Sequence, residues 1–222
     1  MFVGHLGVGL AAGSMDRRVP LWAWISASFA LDLLWPLLLL AGIEKVRVSP
    51  GNTRFTGLAF DSFPWSHSLA LALAWSAIAA VVAARATAAR RTGLLVGAVV
   101  LSHWVLDALT HRPDLPLWPA GPLVGLGLWN SLAGTIAVEG GLFACGIAAW
   151  LRVARPRGAR SRIAFWGFVL LTGAVWLLQP WAPPPPSATA VAVGGLATWL
   201  LPPWAWRIDR AAARAAARTG SP

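Results

Sequence analysis

Long runs of apolar residues, separated by short polar segments, form the main pattern of this chain. Each run is about 20 residues long, the length that an α-helix needs to cross the hydrocarbon core of a bilayer. Charged residues, proline or glycine bound every run, which predicts helices that end near the membrane surface. The six runs are Leu21 to Ile43, Ser66 to Ala84, Gly93 to Thr110, Ser131 to Leu151, Ile163 to Trp181 and Ser187 to Trp206.

A shorter apolar segment, Met1 to Gly13, precedes the first long run. Its basic residues, Arg17 and Arg18, follow the apolar stretch, whereas a cleaved signal peptide carries its basic residues in front. We therefore expect this segment to stay in the mature protein as a short first helix.

Composition agrees with a membrane protein. Of the 222 residues, 57% are hydrophobic and only 12% are charged, whereas soluble domains carry about 25% charged residues. The sequence therefore predicts an all-α fold, a polytopic transmembrane helical bundle of six long spans plus a short apolar N-terminal helix. We expect one transmembrane domain over residues 1–206 and a basic cytoplasmic tail over residues 207–222.

Basic residues account for a formal net charge of +10, and they cluster in alternate connections between the runs. By the positive-inside rule, the segments expected in the cytoplasm are 85–92, 152–162 and the C-terminal tail. The segments expected outside are 44–65, 111–130 and 182–186, although the first of these carries three basic residues.

The arginines lie in loops rather than along one face, which indicates contact with anionic lipid headgroups at the cytoplasmic face and argues against nucleic-acid binding. The tail either extends the last helix along those headgroups or ends as a solvated, frayed segment. A single cysteine, Cys145, excludes an intramolecular disulfide.

Ionisable residues within the apolar runs are the candidate chemistry, because such groups are costly in a bilayer unless they are paired or face water. All four histidines fall in the first half of the chain, in or beside the runs. In the third run, His103, Asp107 and His111 are spaced i, i+4 and i+8, which places them on one helix face. Only adjacent members of this stripe could share a metal ion.

The predicted topology also gives depths for these side chains. Counting helical rise from the cytoplasmic ends, His5, Asp32 and His103 converge about 15 Å into the bilayer. His67, Asp107 and His111 come out shallower, toward the outer face, so the two sets would form a shaft that opens outward.

Imidazoles and carboxylates in such a group suit zinc, iron or manganese, and an open coordination position would permit hydrolysis. Serine neighbours such as Ser66, Ser68 or Ser102 could orient the imidazoles. The alternative is that the group only forms hydrogen bonds between helices. Glu139, in the fourth run, is expected to pair with an arginine or to line the cavity, apart from the main group.

Four short motifs resemble the YdjM-like family of bacterial inner-membrane proteins over roughly the first half of the chain. They are His5 in FVGHLGVG, Asp32 in FALDLLW, His67 with Ser68 in FPWSHS, and His103 with Asp107 in LSHWVLD. Leu34 stands where the second Asp of the family's Asp-x-Asp pair would fall, and Ser62 where the first His of its longer motif would fall. The resemblance implies a metal-dependent hydrolase in the bacterial inner membrane.

The leading hypothesis is therefore a membrane-embedded, metal-dependent hydrolase that binds a divalent metal, with zinc as the first candidate. Its expected metal ligands are His5, Asp32, His67, His103 and Asp107, and its expected general base is Asp107 or His111. Two alternatives stay open, a proton- or cation-coupled transporter that uses the same groups as a relay, and a non-catalytic membrane scaffold protein.

Overall fold

The structure is a computed structural model that describes residues 1–156 and 158–219. It is mostly helical, as the apolar runs predict, with two short antiparallel hairpins. The helices are α1 (Val3–Met15), α2 (Leu21–Ser28), α3 (Ala30–Leu40), α4 (Pro64–His67), α5 (Leu69–Thr87), α6 (Arg90–Thr110), α7 (Leu132–Val153), α8 (Gly158–Leu178), α9 (Ala188–Gly195) and α10 (Leu201–Thr219). The strands are β1 (Lys45–Val48), β2 (Leu58–Ser62), β3 (Leu115–Pro116) and β4 (Leu123–Val124).

Five helical segments are long and apolar enough to cross a membrane, and a bent pair of helices meets the same test when its two halves are counted as one span. The five segments are α5, α6, α7, α8 with its final turn, and the stretch from α9 into α10. The run over Leu21 to Ile43 does not form the one continuous helix that its composition suggests. Its halves, α2 and α3, meet at an angle of 57°, because Phe29 leaves helical geometry at φ −108° and ψ 11°.

Close helix packing brings α1 against α7. A β-carbon on Gly7 would collide with the main chain of Leu142 and Phe143, and one on Gly146 would collide with the main chain of Gly7. Small residues of this kind allow helix backbones to approach closely within a membrane. The short helix α1 is therefore built into the bundle, as the apolar N-terminal segment predicts.

One end of the bundle gathers the arginine-rich loops. Arg17 stacks over the ring of Trp150, with 4.8 Å from its guanidinium carbon to the ring centroid. The Thr92 hydroxyl donates to Asp16 at 2.5 Å, and this bond holds the pKa of the Asp16 carboxyl below its usual value. Loops that are distant in sequence thus meet at one surface, as expected of a single cytoplasmic face.

The opposite end holds the three connections expected outside the membrane. Strands β1 and β2 pair as an antiparallel hairpin within the 44–65 segment. Arg47 in this hairpin forms two hydrogen bonds with Asp61, at 2.6 and 2.8 Å. This pairing offsets part of the basic charge that made the segment an exception.

The C-terminal segment shows no break at residue 206, because α10 runs from Leu201 through Thr219. Ile208 is buried, and Asp209 accepts a hydrogen bond from the backbone of Trp22 in α2. The first part of the predicted tail therefore packs onto the bundle as a helix, and residues 220–222 lie outside the described residues.

Candidate metal centre

Four secondary-structure elements bring the candidate ligands together in the bundle. Helix α6 carries His103 and Asp107 one turn apart, and Asp32 lies in the first turn of α3. Helix α4 ends at His67, and α1 carries His5. All of these residues are buried except Asp32, whose side chain is 22% exposed to solvent. The sequence analysis named all five as ligands, and the structure brings them together.

Four donor atoms face one another across a small space. The Nε2 atom of His67 lies 3.5 Å from Asp32 Oδ1 and 3.6 Å from Asp107 Oδ2. The Nε2 atom of His103 lies 3.7 and 3.2 Å from the same two oxygens. Ligands held at about 2.0–2.1 Å in a tetrahedron are separated by roughly 3.3–3.4 Å. Each of these nitrogen–oxygen distances is close to that value, and the atoms that lie mutually close form groups of three residues rather than one group of four.

Hydrogen bonds at Nδ1 decide which imidazole nitrogen faces this space. The Nδ1 atom of His103 lies 2.8 Å from the carbonyl oxygen of Ser28, which can only accept, so Nδ1 carries the proton. Nε2 then presents a lone pair to the site. Although this Nε2 is completely buried, it has no hydrogen-bond partner among the described residues, and a buried unpaired acceptor costs stability unless something binds it.

Two residues orient His67 in the same way, Glu44 just before β1 and Ser66 in α4. The Ser66 hydroxyl donates to Glu44 at 2.6 Å and lies 2.7 Å from His67 Nδ1. Since a hydroxyl has one proton, the Ser66 oxygen must accept from Nδ1–H. Nε2 of His67 therefore also faces the site as a lone pair. The sequence analysis named Ser66 as an orienting residue but missed Glu44, which lies in a turn and had no spacing to single it out.

Asp107 is engaged through both carboxylate oxygens. Its Oδ2 faces His67 and His103, whereas its Oδ1 lies 3.2 Å from His5 Nε2 and 2.5 Å from the amino group of Met1. The His5 and His103 rings stack with centroids 3.6 Å apart. Two overlapping sets of donors result, one of Asp32, His67 and His103, the other of His5, His103 and Asp107.

The structure does not show the deep and the shallow set of side chains that helical rise along the sequence predicts. His67 shares a donor set with Asp32 and His103, and Asp107 shares one with His5 and His103. One reason is that a single helical turn separates Asp107 from His103, so their side chains meet on one face of α6. The other is that α4, a separate short helix before α5, carries His67 into the bundle.

His111 does not lie on the helix face of His103 and Asp107 that its i+8 spacing predicts. Helix α6 ends at Thr110, and His111 takes extended geometry as the residue after it. Its Nδ1 lies 2.8 Å from Asp114 Oδ1, and its ring packs 4.6 Å from Phe60 and 4.5 Å from Trp129, centroid to centroid. His111 thus stands beside the donor sets rather than within them, and Asp114 is a partner that the sequence analysis missed.

Glu139 lies apart from both donor sets, as expected, but it contacts no arginine among the described residues. Its carboxylate accepts from the backbone of Phe2 at 2.9 Å and from the Trp129 indole at 3.2 Å. Glu139 therefore holds the start of α1 against α7.

A cavity of about 490 Å³ opens onto the donor atoms from the end opposite the arginine-rich loops. Asp32, His67, Asp107 and His111 border it on one side. Its apolar walls come from the hairpin, α3, α8 and α9 and include Trp35, Phe55, Phe60, Phe63, Trp129, Val175 and Val191. The donor atoms are thus reachable through a largely aromatic space.

Comparison with known families gives a match to a model described as YdjM inner membrane protein, over residues 64–183. This segment is more than half of the chain and contains His67, His103, Asp107 and His111, whereas His5 and Asp32 precede it. Comparisons with curated proteins and with solved structures give no match. The chain is therefore a multi-pass inner membrane protein and belongs to the YdjM inner membrane protein family.

Proposed function

We propose that this protein is a metal-dependent hydrolase whose centre lies within the membrane bundle. The observation that carries the proposal is the pair of overlapping donor sets, Asp32 with His67 and His103, and His5 with His103 and Asp107. Nitrogen–oxygen distances within these sets are 3.2–3.7 Å. In its neutral form each imidazole presents the lone pair of Nε2 to this space, because Nδ1 holds the proton.

The donor set suits a divalent ion, with zinc as the first candidate. Two neutral imidazoles and the Asp32 carboxylate match the ligand types of zinc, and Asp107 beside them adds a second negative charge in a low-dielectric interior. When bound, such an ion would lower the pKa of a coordinated water toward neutrality. The partial exposure of Asp32 toward the cavity supports access to the ion from that side.

The proposed roles of the chain's own residues follow from their contacts. Asp32, His67 and His103 hold the ion, Asp107 Oδ2 lies next to both imidazoles, and His5 binds Asp107 Oδ1 and so orients that carboxylate. Asp107 is poorly suited as the general base because both of its oxygens are engaged. His111 fits that role better, since it borders the cavity and Asp114 holds its Nδ1, which leaves Nε2 as the available proton acceptor.

The two alternative functions are less well supported. In a scaffold whose polar groups only join helices, the buried Nε2 of His103 should form a hydrogen bond. Among the described residues it instead faces two carboxylates, at 3.2 and 3.7 Å, without the geometry of a hydrogen bond. For a proton or cation relay, a layer of buried apolar side chains lies between the donor atoms and the arginine-rich end. This layer, which includes Trp24, Val96 and Val100, disfavours a continuous path.

Metal analysis of purified protein tests the proposal with two histidine variants on the same segment. Wild type and His111→Ala should retain stoichiometric metal, whereas His103→Ala should lose it, because only His103 belongs to the donor sets. Hydrolysis of ester substrates should be lost in both variants. Gel filtration and circular dichroism check that each variant folds, and the conservative His103→Gln provides a second ligand variant. Folded wild type without metal after incubation with zinc, iron or manganese would contradict the proposal.

A further inference from the structure

We propose, on the basis of the proposed function, that the substrate is a neutral acyl ester or amide whose single hydrocarbon chain occupies the cavity beside the metal centre. The donor atoms border this cavity, and aromatic and aliphatic side chains form most of the rest of its wall, together with Thr56, Gln179 and Thr198. A substrate that fills it must therefore carry its scissile bond at the end of an apolar group.

The charge of the cavity points to a neutral scissile group. No lysine or arginine is among its lining residues, which come from the described part of the chain. The amino group of Met1 also borders the cavity but is already paired with Asp107. With a divalent ion and the Met1 ammonium offset together by Asp32, Asp107 and the neighbouring Glu139, a phosphate ester anion would meet no free cationic side chain. An uncompensated anion is strongly disfavoured in such an apolar space, whereas an uncharged ester or amide is not.

The size of the cavity limits the chain that it can hold. A volume of about 490 Å³ accommodates on the order of ten methylene groups beside a small polar head, since a group of the size of water occupies roughly 30 Å³. Part of one wall is formed by small residues of α9, Ala190 and Gly194, which are one helical turn apart. A β-carbon on Gly194 would meet nothing within 4 Å, so this position at the cavity wall has room for a larger side chain.

The proposed reaction is an ordinary acyl hydrolysis. The oxygen of water bonds to the acyl carbon, and the bond from that carbon to the alcohol oxygen or amide nitrogen breaks. His111 takes the proton released from the water and returns it to the leaving group. The products are a carboxylic acid and an alcohol or amine, so no oxidant or second substrate is required.

Two substitutions, Gly194→Phe and Gly141→Phe, test the location of the chain. Gly141 in α7 is also exposed, an added β-carbon there meets nothing within 4 Å, and it does not line the cavity. The first measurement is binding of a fluorescent fatty amide to detergent-purified, metal-free protein. We expect Gly194→Phe to weaken binding by roughly tenfold or more, because several buried methylene groups lose their site and each is worth up to about fourfold. Gly141→Phe should bind like wild type.

The second measurement is hydrolysis of p-nitrophenyl acetate, octanoate and palmitate by the metal-loaded variants. Each ester partitions into detergent to the same extent with every variant. The ratio of variant to wild-type rate for that ester therefore reports only the effect of the substitution. We expect Gly194→Phe to lower octanoate hydrolysis far more than acetate hydrolysis, with no loss of bound metal, and Gly141→Phe to change neither.

The outcomes separate this inference from the proposed function. Equal effects of Gly194→Phe on acetate and octanoate, unchanged binding of the fatty amide, or a preference for alkyl p-nitrophenyl phosphates would each overturn the inference while the protein remains a hydrolase. A metal-loaded wild type that cleaves none of these esters or phosphates, but still binds the fatty amide, would contradict the proposed function and leave only a binding cavity.

Discussion

At the scale of single residues, the hydroxyl of Ser66 decides the chemistry of His67. Glu44 accepts three hydrogen bonds from the backbone of Trp65 and from the backbone and hydroxyl of Ser66. The Ser66 proton is therefore committed, and its oxygen must accept from His67 Nδ1. Outer contacts of this kind fix both the tautomer and the orientation of a metal ligand.

Ser66→Ala should weaken metal affinity by about 10- to 100-fold, because Nδ1 of His67 loses its acceptor and the ring can then turn or change tautomer. Chelator competition on the purified protein measures this affinity. Ser68→Ala is the matched control, because Ser68 is equally buried but only caps α5, accepting from the backbone of Leu71. The control should lose about 1 kcal/mol of helix stability and keep its metal affinity. Equal metal affinity in the two variants would refute a positioning role for Ser66.

At the scale of elements, the break between α2 and α3 supplies part of the site. In an unbroken helix the carbonyl of Ser28 would accept from the backbone of Asp32, but here it accepts from His103. The break also places Asp32 in the first turn of α3. Proline is the usual signal for a kink, yet Pro36 lies inside α3 and the chain bends at Phe29. Sequence reasoning therefore gave a span of the right length but could not locate its bend.

The contact of α1 with α7 gives a second prediction at this scale. Gly146→Ala should destabilise the protein by about 1–3 kcal/mol, because the added methyl group meets the backbone of Gly7, which cannot move aside like a side chain. It should also displace His5 and weaken metal binding. Thermal unfolding in detergent measures the first effect and chelator competition the second.

Gly141→Ala in the same helix is the control for that prediction. A methyl group there meets nothing within 4 Å, and alanine in place of glycine within a helix gains about 0.5–1 kcal/mol. A Gly146→Ala protein as stable as this control would mean that the two helices do not approach as closely as described.

At the scale of the whole molecule, the sequence predicts much of the architecture but only part of the site. Blocks of apolar residues and clusters of arginine depend on the bilayer alone, so the spans and the two ends can be derived from them. The five candidate ligands were recognisable because ionisable groups are rare in such helices. Glu44 and Asp114 were not, because they lie outside the helices, where no regular spacing in the sequence indicates which residue each one contacts.

The two ends of the bundle lead to a prediction of orientation. The arginine-rich end should face the cytoplasm and the cavity should open on the other side, because positive loops are retained inside during insertion. Replacing Cys145 by alanine removes the single native thiol. Ala159→Cys and Ala182→Cys then place one exposed thiol near each end of α8. A membrane-impermeant maleimide added to spheroplasts should label the Ala182→Cys protein, and should label the Ala159→Cys protein only after the membrane is permeabilised. The reverse pattern would place the cavity on the cytoplasmic side, and its substrate would then have to come from the cell interior or the inner leaflet.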